Sequence, residues 1–222
     1  MRLRLAIVVC MVLLLASAFG AEAKSSTFGL KGGASLAQFK YDPDVDSPGM
    51  ERLLGFGGGL TLGFTLAPYV NLDIDGMYMM KGAHWKTAFG DEGPIEEDWT
   101  SSYAIVSPVL RLHLPGSGMA PYVLAGGEVG YLLSAKVTTS GTGEADGEED
   151  VKDDCEDLDY GFVLGAGFEI PNATGAGLFV EARYARGLVD IAKDAEGQGT
   201  LADDDEQKVM NEAFYFMAGI RF

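Results

Sequence analysis

The stretch Leu53-Leu54-Gly55-Phe56-Gly57-Gly58-Gly59-Leu60-Thr61-Leu62-Gly63-Phe64-Thr65-Leu66 decides the fold. Leu54, Phe56, Leu60, Leu62, Phe64 and Leu66 alternate with Gly55, Gly57, Gly59, Thr61, Gly63 and Thr65. A period of two places the bulky residues on one face of a β-strand and leaves the other face almost bare. A soluble barrel turns its bulky face inward, whereas a membrane barrel shows it to lipid and fills its interior with small and polar groups. A glycine face suits the narrow interior of a small membrane barrel and would leave a soluble one almost hollow.

Seven further runs carry the same period, at 27–39, 70–81, 100–114, 122–136, 158–170, 178–188 and 212–222. In the first, Phe28, Leu30, Ala34 and Leu36 oppose Lys31 and Ser35; in the third, Val70, Leu72, Ile74, Tyr78 and Met80 oppose Asn71, Asp73, Asp75 and Lys81. The run from 122 to 136 alternates least cleanly. The sum predicts an all-β fold, an eight-stranded antiparallel up-and-down transmembrane β-barrel. After Lys24 no stretch of 18 apolar residues occurs, so a mature chain that enters a bilayer must do so as a closed barrel.

The connections alternate in length. Those at 67–69, 115–120 and 171–177 are short and rich in Pro and Gly; those at 40–52, 83–99, 139–157 and 190–210 are long and polar. This predicts short periplasmic turns and long extracellular loops. The long connections hold 4, 5, 9 and 7 acidic residues, 25 of the 33 in the chain, so the charge of -17 belongs to one end of the molecule. Such a balance argues against nucleic acid as a partner, because phosphate binding needs clustered Lys and Arg.

At the N-terminus, Arg2 and Arg4 precede an apolar run from Leu5 to Leu15 and small residues ending at Ala23, the pattern of a cleaved signal peptide over 1–23. The remaining domain, 24–222, has 199 residues (222 minus 23) and one cysteine, Cys155, read as a loop thiol.

On the polar face Lys31, Asp73, Asp75, Lys81, Arg111, Glu169, Glu181, Arg183 and Arg221 form a set of both signs, expected to pair inside the barrel because buried charges must be compensated. Tyr69 and Tyr122 near the short turns, and Trp85, Trp99 and Tyr103 on the loop side, are expected to form interfacial girdles. The chain ends with Phe214, Phe216, Ile220 and Phe222 on one face; Phe216, Ile220 and Phe222 look like the C-terminal signature of proteins delivered to the outer-membrane assembly machinery.

The chain resembles the outer-membrane protein β-barrel domain family that includes PorT-like and OmpX-like small barrels. The residues that carry this are Tyr103-Ala104-Ile105-Val106-Ser107-Pro108-Val109-Leu110, Pro121-Tyr122-Val123 with Gly126, Gly161 with Gly165-Ala166-Gly167-Phe168, and Glu181-Ala182-Arg183-Tyr184 followed by Gly187-Leu188. The resemblance implies a bacterial outer-membrane location and this architecture rather than an activity. Ser107 is more polar than the family pattern, and the third long loop is more acidic.

Catalytic candidates are few. The chain has two histidines: His84 could form a loop site with Asp91 and Asp98, but no nucleophile or metal-ligand spacing accompanies it, and His113 reads as a hydrogen-bonding residue. Asp153, Asp154, Glu156 and Asp157, and the run 203–206, are weak candidates for divalent cations, without EF-hand spacing. Asn172-Ala173-Thr174 reads as a turn, not as a glycosylation acceptor. The expectation is a monomeric, non-enzymatic outer-membrane protein without cofactor. Its partners would be membrane lipid, the assembly machinery during biogenesis, and divalent cations at the acidic loops. Its role would be structural or surface-display: envelope integrity, adhesion or partner binding. The alternatives are a lipid-modifying or proteolytic barrel enzyme and a secreted soluble barrel for a small apolar ligand.

Overall fold

The computed structural model describes residues 25–42, 49–88, 94–115, 118–141, 147–171, 176–192 and 208–222. The predicted signal peptide, Asp91, the turn Asn172-Ala173-Thr174 and the acidic run 203–206 lie outside the described residues.

Eight strands form the wall: β1 Ser26–Asp42, β2 Met50–Ala67, β3 Val70–Ala88, β4 Pro94–His113, β5 Ala120–Ser140, β7 Leu158–Pro171, β8 Gly177–Gly187 and β9 Lys208–Arg221. The short β6, Gly147–Asp150, is an arm that pairs with the far end of β5 and precedes a 3-10 turn at Lys152–Asp154. Each wall strand is antiparallel to its neighbours in the order β4-β3-β2-β1-β9-β8-β7-β5, and β5 pairs back onto β4. The ring is closed, so the wall has no free hydrogen-bonding edge, as a lipid environment demands. First and last strands meet from Gly29↔Arg221 to Asp42↔Lys208, and the terminal residue joins in through Phe222 N donating to the Phe28 carbonyl at 2.7 Å.

Burial is inside out. Leu54, Phe56 and Leu60 are 55%, 59% and 48% exposed, while Lys31, Asp75, Arg111 and Arg183 are buried. The interior is less bare than the glycine face of β2 suggests: Met77 and Met79 on β3, Ile105 and Val109 on β4, and Tyr215 and Met217 on β9 also fill it. Glycine concentrates where backbones crowd. A Cβ at Gly59 would collide with the Gly76 carbonyl, and one at Gly33 with the Phe216 carbonyl.

Two departures from regular pairing matter. Ser102 faces Ser134 but Tyr103 faces Leu132, so Leu133 is an extra residue in β5. This bulge leaves Tyr131 and Leu132 both buried in succession, which explains the weak alternation of that run. The turn between β2 and β3 is tight, with Tyr69 at φ 69°, a conformation that usually calls for Gly or Asn; its carbonyl accepts a 2.8 Å hydrogen bond from His113 N.

The strands run longer on the loop side than the alternation predicts. β3, β4 and β5 have 19, 20 and 21 residues, about twice the roughly 9–11 needed to cross a bilayer. Much of the connection read as the loop 83–99 is therefore a β-hairpin paired from Ala83↔Trp99 to Ala88↔Pro94. Part of 139–157 is likewise the β6 arm and its 3-10 turn.

Candidate functional site: an ion-packed lumen beneath an aromatic mouth

Strand alternation sends Lys31 from β1, Asp73 and Asp75 from β3, Arg111 from β4, Glu169 from β7, Glu181 and Arg183 from β8 and Arg221 from β9 into one cluster. Asp73 Oδ2 lies 2.7 Å from Arg111 Nη2 and 3.0 Å from Arg221 Nη2. Asp75 Oδ2 lies 2.6 Å from Lys31 Nζ and 2.7 Å from Arg183 Nη1, and Asp75 Oδ1 accepts the Thr61 hydroxyl at 2.6 Å. Glu181 Oε1 is 2.8 Å from Arg183 Nη2, and Glu181 Oε2 accepts the Tyr122 hydroxyl at 3.0 Å. Glu169 Oε2 stands 3.5 Å from both Arg111 Nη1 and His113 Nε2. Four bases thus meet four acids, and the cluster is neutral when all eight are ionised.

Lys81 belongs to a second cluster nearer the loop side. Its ammonium sits 2.9 Å from Glu128 Oε1 and 3.0 Å from Asp159 Oδ2. Tyr215 donates to Glu128 Oε1 at 3.0 Å, and Asn211 Nδ2 donates to Asp159 Oδ2 at 2.9 Å and to the Tyr103 hydroxyl at 3.1 Å. One base faces two acids. Glu128, Asp159, Asn211 and Tyr215 are absent from the sequence-based set. The bulge in β5 blurs the parity of Glu128, and Asn211 falls where the sequence reads as the margin of a loop. Asp159 shares the glycine face of its run and was legible by the same alternation.

Above Tyr103 the lumen opens into a cavity of about 430 Å³ on the loop side. Phe39, Trp85 and Trp99 meet there, with ring centroids 5.8, 6.3 and 6.4 Å apart and interplanar angles of 42°, 83° and 67°. The girdle expectation is corrected for these residues: Trp85, Trp99 and Tyr103 line the mouth, because their strands continue as a paired hairpin and odd-numbered positions of β3 and β4 point inward. Tyr122 is also interior, 1% exposed, beneath the Arg111 guanidinium at 4.2 Å from its ring. Tyr69 alone of the five is exposed.

Cys155 lines the same cavity and forms a β-bridge with Ala192, so it is more than a loop thiol. Among the weak cation candidates, Asp153 and Asp154 lie in the 3-10 turn, Glu156 N donates to the Ile191 carbonyl, and the Asp157 carbonyl accepts Leu132 N. Among the described residues, no group of three or more His, Cys, Asp and Glu is placed to hold a metal ion. His84 Nδ1 and Asp98 Oδ1 hydrogen-bond across β3 and β4. Phe216 and Phe222 are 50% and 57% exposed, and Ile220 is partly exposed.

A family model described as outer membrane protein beta-barrel domain matches residues 18–193, well over half of the chain. No curated protein matches. Among solved structures, Neisserial surface protein A is similar at 14% identity and TM-score 0.48, covering 89% of this chain and 98% of its own. The attachment invasion locus protein Ail of Yersinia pestis, in complex with the heparin analogue sucrose octasulfate, is similar at 14% identity and TM-score 0.38, covering 89% and 99%. The outer membrane protein OprG from Pseudomonas aeruginosa is similar at 14% identity and TM-score 0.39, covering 90% and 97%.

Proposed function

The chain belongs to the outer membrane protein β-barrel domain family and resides in the bacterial outer membrane; from that premise we propose that it is a non-conducting, non-enzymatic surface barrel. The observation that carries this reading is the ion-packed lumen. Lys31, Asp73, Asp75, Arg111, Glu181 and Arg183 have side chains with 0% exposure, so the channel axis is occupied by paired charges where a pore would hold water. The same pairing commits to the wall the acids and bases of the deep lumen.

In this reading residues 1–23 are removed on export, and the long-connection end faces the cell exterior. There the tall β3–β4 hairpin and the acidic loops are displayed to partners and to divalent cations, which supports a role in envelope integrity, adhesion or partner binding. The outward Phe216, Ile220 and Phe222 serve recognition by the assembly machinery, and the wall functions as a monomer.

Refolding the mature chain (24–222) into vesicles and a planar bilayer tests the reading. The expected results are a boiling-dependent shift in gel mobility and no stepwise conductance. Stable single-channel steps, or full solubility without detergent and no mobility shift, would sink it.

A further inference from the structure

We infer that the mouth cavity is a binding site for a small organic cation with an apolar shell, of the quaternary-ammonium class. This rests on the reading of the chain as a folded outer-membrane barrel with its mouth open to the exterior. The cavity, about 430 Å³, falls within the roughly 300–1,000 Å³ typical of small-molecule sites.

Its lining is of two kinds. Phe39, Trp85, Trp99 and Tyr103 supply aromatic surface, and the three mutually touching rings meet at steep angles, forming a corner rather than a closed stack. Aromatic faces attract cations, most strongly the indole of Trp. The charged lining residues are Glu97 and Asp154, and no Lys, Arg or His lines the cavity among the described residues. Lys152, the neighbouring base in the same segment, reaches away: its ammonium donates to the Leu133 carbonyl at 2.9 Å and lies over the Tyr131 ring.

The floor adds a third argument. Tyr103, which lines the cavity, is held through Asn211 to Asp159, and Asp159 shares the single ammonium of Lys81 with Glu128. With all three ionised, the cluster under the cavity carries one uncompensated negative charge, whereas the cluster deeper in the lumen is neutral. A cation in the mouth would complete that balance, and the acidic connections of the same end would raise its local concentration.

Other occupants fit less well. An anion would meet two carboxylates and π-faces and, among the described residues, no Lys, Arg or His to neutralise it. A bare divalent ion favours clustered hard oxygen ligands, and among the described residues no group of three or more His, Cys, Asp and Glu is placed to hold one; the lining is mostly aromatic and aliphatic. A neutral apolar molecule would fill the corner but gain nothing from Glu97, Asp154 or the floor.

The two tryptophans of the chain, Trp85 and Trp99, both line the cavity, so tryptophan emission excited selectively over tyrosine reports on this site. The test titrates the refolded mature chain, in an uncharged glucoside detergent, with choline and with its neutral carbon isostere 3,3-dimethyl-1-butanol. Choline is expected to change the tryptophan emission saturably and to bind about tenfold more tightly than the isostere. The double substitution Glu97→Gln/Asp154→Asn is expected to weaken choline by about fivefold to tenfold and to leave the isostere unchanged. Absence of a saturable choline response, equal affinity for both probes, or indifference to the double substitution would each overturn the inference. A gel of the same sample before and after boiling separates the two levels. Loss of the mobility shift defeats the barrel reading, whereas a normal shift without a choline response defeats only the cation site.

Discussion

Two regions of one lumen are built from different chemistry. In the deeper region Asp75 touches Lys31 and Arg183, Asp73 touches Arg111 and Arg221, and Glu181 is bracketed by Arg183 and Tyr122. Every carboxylate there has a cation within 4 Å, and acids equal bases in number. Towards the mouth, Lys81 alone serves Glu128 and Asp159, and above them the lining turns aromatic and acidic. Charge parity marks the region that holds the wall together, and its absence marks the region left available to a ligand. An ion network surrounded by lipid has no water to repair a missing partner, so the deep region must be self-contained.

Unbalancing the deep region is expected to have the largest effect. Arg183→Met keeps bulk but removes one cationic partner each from Asp75 and Glu181, leaving four acids against three bases. A loss of about 3–5 kcal/mol in unfolding free energy is expected, because removing one member of a buried pair strands the other. Urea unfolding of the barrel in vesicles, followed by the gel shift, measures it. A loss within experimental scatter would show that the network is hydrated and that the two regions do not differ.

A middling effect is expected at the mouth. Trp99→Ala removes one side of the aromatic corner, but Trp99 is only partly buried. Stability should fall by about 1–2 kcal/mol, below the roughly 3–5 kcal/mol of a fully buried aromatic. A loss as large as that of Arg183→Met would make the mouth part of the structural core rather than a site.

The wall was legible because its signal is local. The Leu–Gly alternation of β2 and the charges spaced by two in β3 and β8 state which face each residue occupies, whatever the neighbouring strands do. For that reason all nine charges proposed for the interior lie on the inward parity. Who pairs with whom is a different matter: Arg111 and Asp73 sit on adjacent strands, but Asp75 reaches Arg183 across the lumen, and that contact exists only once the ring has closed. The mouth stayed hidden for a related reason. A tryptophan near a strand end has the same local signature whether it faces lipid or lumen. Only the continuation of the β3–β4 hairpin to Ala88 and Pro94 turns Trp85 and Trp99 inward.

The smallest effect is the most diagnostic. Glu128→Gln removes one of the two acids that share Lys81, turning a net charge of -1 in the upper cluster into zero, while the amide oxygen can still accept from Lys81 and Tyr215. If the imbalance is held for the sake of a cation in the mouth, this variant should change stability by no more than about 1 kcal/mol, because a neutral hydrogen bond replaces a charged one without stranding a partner. Choline affinity should fall several-fold in the same protein, since the floor no longer carries the charge that a ligand completes. The matching change in the deep region, Asp75→Asn, leaves Lys31 and Arg183 with one carboxylate fewer and should cost several kcal/mol. Equal costs for the two substitutions would erase the distinction between a self-compensating lumen and a mouth that awaits its counter-ion.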